Sequence, residues 1–295
     1  MIKFKNVQEL IALANEKEVA IYDVVMQYEA ETSQLQVDKI IDTMKQNWKV
    51  MRESVESGIR NQDKSASGLV GGDAKRMHDY LTDNDKSYAG SMPLKVAAYA
   101  LAVSEVNAVM GRIVACPTAG SCGILPAAVL AGAQQKKCDE AMIINALFTA
   151  SGIGMVIAQN ASIAGAEGGC QAECGSAAGM AAAALVELAG GTPEQVGQAV
   201  ALALKNLLGL VCDPVAGLVE VPCVKRNGFA AVHAVMAADM ALAGIKSVIP
   251  VDEVIDAMYK IGLALPKSLR ETSEEGLANT PTARSIEKNL YSKDK

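Results

Sequence analysis

Four cysteines in the second half of the chain stand among glycines, prolines and carboxylates: Cys170 and Cys174 in GAEGGCQAECGS, Cys212 in VCDPVAG and Cys223 in VPCVKRNG. Loop and helix-end positions suit thiolate ligands, because backbone N–H groups can reach the sulfur and a metal or cluster has room beside it. The three segments read as three fingers on one site. Taken one at a time, each cysteine also fits a small buried hydrophobe, the commoner role of a free thiol. No CxxC is present, which argues against a zinc ribbon or a ferredoxin-type cluster. The chain has seven cysteines, an odd number that does not suggest a disulfide framework.

Other candidates lie upstream. The turn-rich passage CPTAGSCGILP offers the backbone N–H groups of Thr118, Ala119, Gly120 and Ser121, with two hydroxyls, just ahead of a helix. That arrangement suits a substrate carboxylate, or equally a helix-capping turn with no ligand. The glycine-rich SGLVGGDAKRM is a second candidate anion cradle or lid with Lys75 and Arg76 as its cations, or a plain solvated loop. Only two histidines exist. His233 lies on the apolar face AAVHAVMAADM and reads as a core residue, whereas His78, in a loop beside Asp79, is the candidate general base.

The elements that must position these residues read as helices. Val37, Ile40, Ile41, Met44, Trp48, Met51 and Val55 line one face of a long amphipathic helix between Ser33 and Arg60. Residues 61–92 read as an extended loop, Pro93 opens a helix, and Gly111 closes it. The Ala-rich run GSAAGMAAAALVELAGG ends at Gly190 and Gly191, after which Thr192, Pro193 and Gln195 supply a capping box for a helix to Leu208. Two more helices are predicted, Arg226 to Ala243 and Glu253 to Leu263 with Asp252 as cap, before a polar tail from Pro266 that wraps or frays. No period-two segment longer than a few residues occurs, so the fold class is all-α. The chain reads as a single compact multi-helix domain: an N-terminal helical extension (1–60), a glycine-rich loop (61–92), a helical core bearing the cysteines (93–265) and the tail (266–295).

Composition removes several function classes. At 51% apolar and 20% charged over 295 residues, the chain can bury a large core. A net charge of −6, without a basic stripe, speaks against nucleic acid as a partner. No charge appears between Glu140 and Glu167, but polar residues and Gly152 and Gly154 interrupt that stretch, so a buried core helix is expected rather than a membrane span. The N-terminus lacks a signal-peptide pattern, and a cytoplasmic location is expected.

Five motifs, GAEGGCQAE, LGLVCDPVAGLVEVPC with KRN after it, CPTAGSCGILP and SGLVGGDAKRM, resemble the α domain of iron–sulfur-dependent L-serine dehydratases across nearly the whole chain. The resemblance implies a 4Fe-4S cluster held by Cys170, Cys212 and Cys223, with a fourth iron open to L-serine. It implies conversion of serine to pyruvate and ammonia without pyridoxal phosphate, in amino-acid degradation and gluconeogenesis. Cys174 is then a spare, on the same helical face as Cys170 if that segment is helical. The chain has the length of the separate α subunit, which implies a β-subunit partner that completes the pocket or supplies the base. Some fused relatives end in a cysteine that reaches the cluster, whereas the last cysteine here is Cys223, so that control is expected to be absent. Two rival readings are a cysteine desulfidase of the related family and a non-catalytic regulatory module with a structural zinc or redox-sensing cluster.

Overall fold

Alanine and glycine let helices approach closely, and here they place one helix at the centre of the molecule. A computed structural model describes residues 2–81 and 87–292, and among these the chain forms thirteen α-helices, numbered in chain order, with a single isolated β-bridge. Helix α9 (Ser176–Leu188) is buried along almost its whole length, Ala177 through Ala184 included. It packs against α6 (Ile124–Lys136), α7 (Glu140–Asn160), α10 (Pro193–Lys205) and α11 (Cys223–Leu242). The all-α expectation is met. Helix α7 is long and apolar enough to cross a membrane, yet 67% of its most apolar window is buried inside the fold, against α9 and α2 (Ile21–Ser33).

The capping box ahead of α10 forms as expected: Thr192 Oγ1 accepts from Gln195 N at 3.3 Å and Gln195 Oε1 accepts from Thr192 N at 3.0 Å. The helix stops at Lys205, short of Leu208, and the chain turns so that Gly209 N–H donates to Gln171 Oε1. The N-terminal segment is not a separate layer. Val7, Leu10, Ile11 and Ala14 of α1 (Val7–Glu16), with Val24 and Val25 of α2, belong to the same hydrophobic core as α9. Asp252 does not cap its own helix, α12 (Val251–Ala264). Its carboxylate oxygens accept from Val7 N and Gln8 N at 2.8 and 3.0 Å, so it caps α1 from 245 residues away.

Two expectations are corrected. Residues 61–92 are not one loop: they contain α4 (Asp73–Tyr80). Its N-cap, Gly72, has no side chain, and the missing cap is Glu105 on α5 (Ser91–Ala108), whose carboxylate accepts from the N–H groups of Gly72, Asp73 and Ala74. A cap supplied from another helix leaves no local signal. Residues 82–86 of the expected loop lie outside the described residues. The tail wraps rather than frays: Cys212 N–H donates to Leu269 O, Glu271 N–H donates to Cys212 O, and Leu277 N–H donates to Asp213 Oδ2. It ends in α13 (Pro281–Tyr291), whose Ala283 packs on Val215 and Ala216 while Tyr291 Oη donates to Ala216 O.

The long helix α3 (Val37–Arg60) lies so close to α5 that a Cβ on Gly58 would fall 2.2 Å from the Ala102 carbonyl oxygen. Because that atom is backbone, Gly58→Ala forces the helices apart and is expected to cost about 1–3 kcal/mol, read as a lower denaturant midpoint. Asp213, 2% exposed, sits 2.9 Å from Arg226 Nη2 as well as holding Leu277. Asp213→Ala strands that guanidinium in the interior and is expected to cost about 3–5 kcal/mol, with the segment after residue 265 becoming the first site of limited proteolysis.

Candidate active site

Each cysteine finger is irregular backbone held inside the molecule. Cys170 precedes a π-helical turn, Gln171–Gly175, that opens into α9. The extra residue of a π-turn displaces side chains from the helical register, and such turns recur at functional sites. Gln171, 1% exposed, pins it: its backbone N–H donates to Leu210 O, its Nε2 donates to Met258 O at 2.8 Å, and its Oε1 takes Gly209 N–H. The turn of Cys170 and the approach to Cys212 are thus tied together. Cys212 is then clasped by Leu269 and Glu271. Helix α11 begins three residues earlier than expected, so Cys223 is its first residue, behind Pro222.

The upstream turn joins the same site. Asn227, in the KRN that follows Cys223, is 1% exposed; its Nδ2 donates to Gly120 O and Cys223 O, and its Oδ1 accepts from Gly123 N at 2.9 Å. Residues 118–123 are therefore fixed to the first turn of α11. Thr118 Oγ1 donates to Glu173 Oε1 at 2.7 Å. Ser121 is wholly buried with its hydroxyl 3.2 Å from Thr118 Oγ1, in a short 3-10 turn Ala119–Ser121, so the hydroxyls of the pair serve the turn itself.

The thiols differ sharply in acidity. Cys170 and Cys174 have their sulfurs 3.3 Å apart, and the contact with Cys174, with Arg226 helping, lowers Cys170 despite burial. The same contact and burial push Cys174 well up. Burial and the charges of Cys170 and Glu173 push Cys223 up to about 12, and burial together with Cys170 raises Cys212 as well. Mutual influence of this kind marks Cys170, Cys212 and Cys223 as neighbours, and all are free thiols. No group of three or more His, Cys, Asp or Glu among the described residues is arranged to hold a single metal ion. Cys116 and Cys122 lie in the hydrophobic core, where burial pushes Cys122 up to about 12.

Other expected site residues stand apart. Lys75 Nζ is 2.7 Å from Asp79 Oδ2 and Arg76 is 2.5 Å from Asp73 Oδ1, so both cations are engaged on their own helix. Lys225 of the KRN motif reaches Asp73 at 2.6 Å, docking α4 on α11. His78 is on α4 rather than in a loop, and no hydrogen bond joins it to the thiols or to Glu173. His233 is expected in the core but is only half-buried on α11, its Nε2 2.9 Å from Ala203 O and its Nδ1 3.4 Å from Asn206 Nδ2.

Glu173 was not among the expected residues. It lies in the π-turn between Cys170 and Cys174, Oε2 3.9 Å from Cys212 Sγ, and burial pushes its carboxyl above the usual carboxylate range against the opposing hydrogen bond from Thr118. A Cβ on Gly120 would meet its Oε1 at 2.9 Å, and one on Gly165 its Oε2 at 2.8 Å. The only trace of it in the sequence is its place inside GCQAEC, which reads as a spacer while only the cysteines are counted.

Comparison with known proteins bears on the whole constellation. The family described as "Serine dehydratase alpha chain" matches residues 16–278. A Bacillus subtilis protein named "Probable L-serine dehydratase, alpha chain" is 53% identical over 288 residues, covering 98% of this chain and 95% of that one. The "L-serine dehydratase, alpha chain" of Peptoniphilus asaccharolyticus is 44% identical over 283 residues, 96% of this chain and 97% of its own. "L-serine dehydratase 1" of Escherichia coli is 40% identical over 281 residues, 93% of this chain but 61% of that longer protein. With a family match running from helix α1 past the tail segment that clasps Cys212, the chain belongs to the serine dehydratase alpha-chain family.

Proposed function

We propose that this chain is the catalytic α subunit of an iron–sulfur L-serine dehydratase of the cytoplasm, converting L-serine to pyruvate and ammonia together with a β-subunit partner. The observation that carries the reading is that buried Gln171 and Asn227, with Thr118 on Glu173 and Glu173 3.9 Å from Cys212 Sγ, tie the Cys170, Cys212 and Cys223 segments and the 118–123 turn into one place where all the cysteines are free thiols. The donor set fits a 4Fe-4S cluster: Cys170, Cys212 and Cys223 would hold it, each on backbone fixed by buried hydrogen bonds. When bound, such a cluster with one iron lacking a thiolate supplies a Lewis acid for the substrate hydroxyl, a poor leaving group otherwise.

The chain's own residues orient and shield. The backbone of the 118–121 turn faces the carboxylate end of serine, with Asn227 holding that turn to Cys223. Glu173 lies between the turn and Cys212. Loss of the α-proton and of the hydroxyl gives aminoacrylate, whose imine tautomer hydrolyses to pyruvate and ammonia. With His78 on a helix surface apart from the thiols, the base is assigned to the β chain.

Anaerobic reconstitution with iron and sulfide, with the β chain present, tests the reading. Visible absorption of a brown cluster and pyruvate release are expected of the wild type. Cys170→Ala, Cys212→Ala and Cys223→Ala each abolish both, while Cys174→Ala keeps most of the absorption. A colourless zinc-loaded protein, or sulfide release from cysteine with no pyruvate from serine, would overturn the assignment.

A further inference from the structure

We infer that Glu173 is the substrate-positioning residue that receives the α-ammonium group of the amino acid, an inference that rests on the serine dehydratase reading. Three observations carry it. First, the carboxylate is half-buried, and among the described residues no lysine or arginine lies within ion-pair distance of it; its hydrogen-bonding neighbours are the Thr118 hydroxyl and the Cys212 thiol. A half-buried carboxylate held in place by a hydroxyl donor and given no cation by the protein is suited to receive one from a guest. Arg226, whose charge acts on Cys170, is committed to Asp213 and to Val211 O.

Second, the order of groups matches the substrate. Oε1 is 2.7 Å from Thr118 Oγ1, at the turn assigned to the carboxylate, and Oε2 is 3.9 Å from Cys212 Sγ, at the cluster side assigned to the hydroxyl. In serine the ammonium is borne by the carbon between the carboxylate and the hydroxymethyl group, so a molecule spanning those two places brings its nitrogen toward Glu173. Third, the carboxylate is left uncovered by side chains from two directions. The residues that approach its two oxygens are Gly120 and Gly165, where any Cβ would stand 2.9 and 2.8 Å away. Glycine at both positions lets backbone come near while leaving the oxygens free for a small polar guest.

A carboxylate in this position separates amino acids from hydroxy acids of the same shape, because a site built around a half-buried charge rejects a molecule that cannot pair with it. The test uses the α and β chains together, with the cluster rebuilt anaerobically, comparing wild type with Glu173→Gln and Glu173→Asp. Four quantities are read: KM and kcat for L-serine, visible absorption of the cluster, and inhibition by 3-hydroxypropanoate, which is serine without its amino group. Glu173→Gln is expected to raise the KM for serine roughly 10- to 100-fold, the loss of one charge-assisted hydrogen bond. Cluster absorption is retained and 3-hydroxypropanoate binds at least as well as to the wild type.

An unchanged KM overturns the inference, as does a loss of serine and 3-hydroxypropanoate affinity in parallel, which is the mark of a merely structural residue. If Glu173→Gln assembles no cluster, Glu173→Asp decides: it keeps the charge one methylene further back, and a raised KM with full absorption supports the role while an unaltered KM refutes it. Failure of the wild type to act on serine is a separate result that strikes the proposed function. Should the wild type act on cysteine instead, the same comparison with cysteine and 3-mercaptopropanoate decides the role of Glu173, since the ammonium is common to both substrates.

Discussion

Backbone that is neither helix nor strand cannot be buried unless something supplies its hydrogen bonds, and the cysteine fingers are irregular backbone at the heart of the molecule. Three buried side chains meet that demand. Gln171 serves the Cys170 turn and the residues ahead of Cys212, Asn227 serves the 118–123 turn and Cys223, and Asp213 serves the tail that clasps Cys212. Each joins two fingers rather than decorating one. A half-satisfied network of this kind is worse than none, so the three function as a set that gives the site one geometry.

The electrostatics of the site follow from the same burial. Three thiols and a carboxylate share an interior with a single arginine, Arg226, which is itself paired with Asp213. Neutral thiols are the stable state of such a place, and Cys170 alone is drawn toward the thiolate, by Cys174 and Arg226. The other two are held on the protonated side by burial and by the negative charge around them.

Much of this was legible in the sequence where the signal is local. The capping box at Thr192 and the helix-stopping glycines after α9 follow from a residue and its near neighbours. What was missed is non-local. Glu105 caps α4 from the next helix, so that helix start lacks its own sign, and Asp252 adds to the local Asn6 cap of α1 from the far end of the chain. Glu173 escaped for a different reason: the family resemblance points to the cysteines, but nothing local shows that a π-turn brings the acid between Cys170 and Cys174 to Thr118. The cations Lys75 and Arg76 looked available in a glycine-rich loop and proved to be bound within a helix that the loop conceals.

The clasp on Cys212 sets an order of events during synthesis. The backbone of the finger at residue 212 is clasped by Leu269 and Glu271, and Asp213 by Leu277, more than fifty positions later in translation. Until the ribosome has released those residues, Cys212 and Asp213 lack that clasp, although Arg226 and the residues that Gln171 grips are already made. A chain released only as far as residue 265 therefore holds Cys212 by fewer bonds than the finished protein does, and completion of that finger is an act of the whole polypeptide.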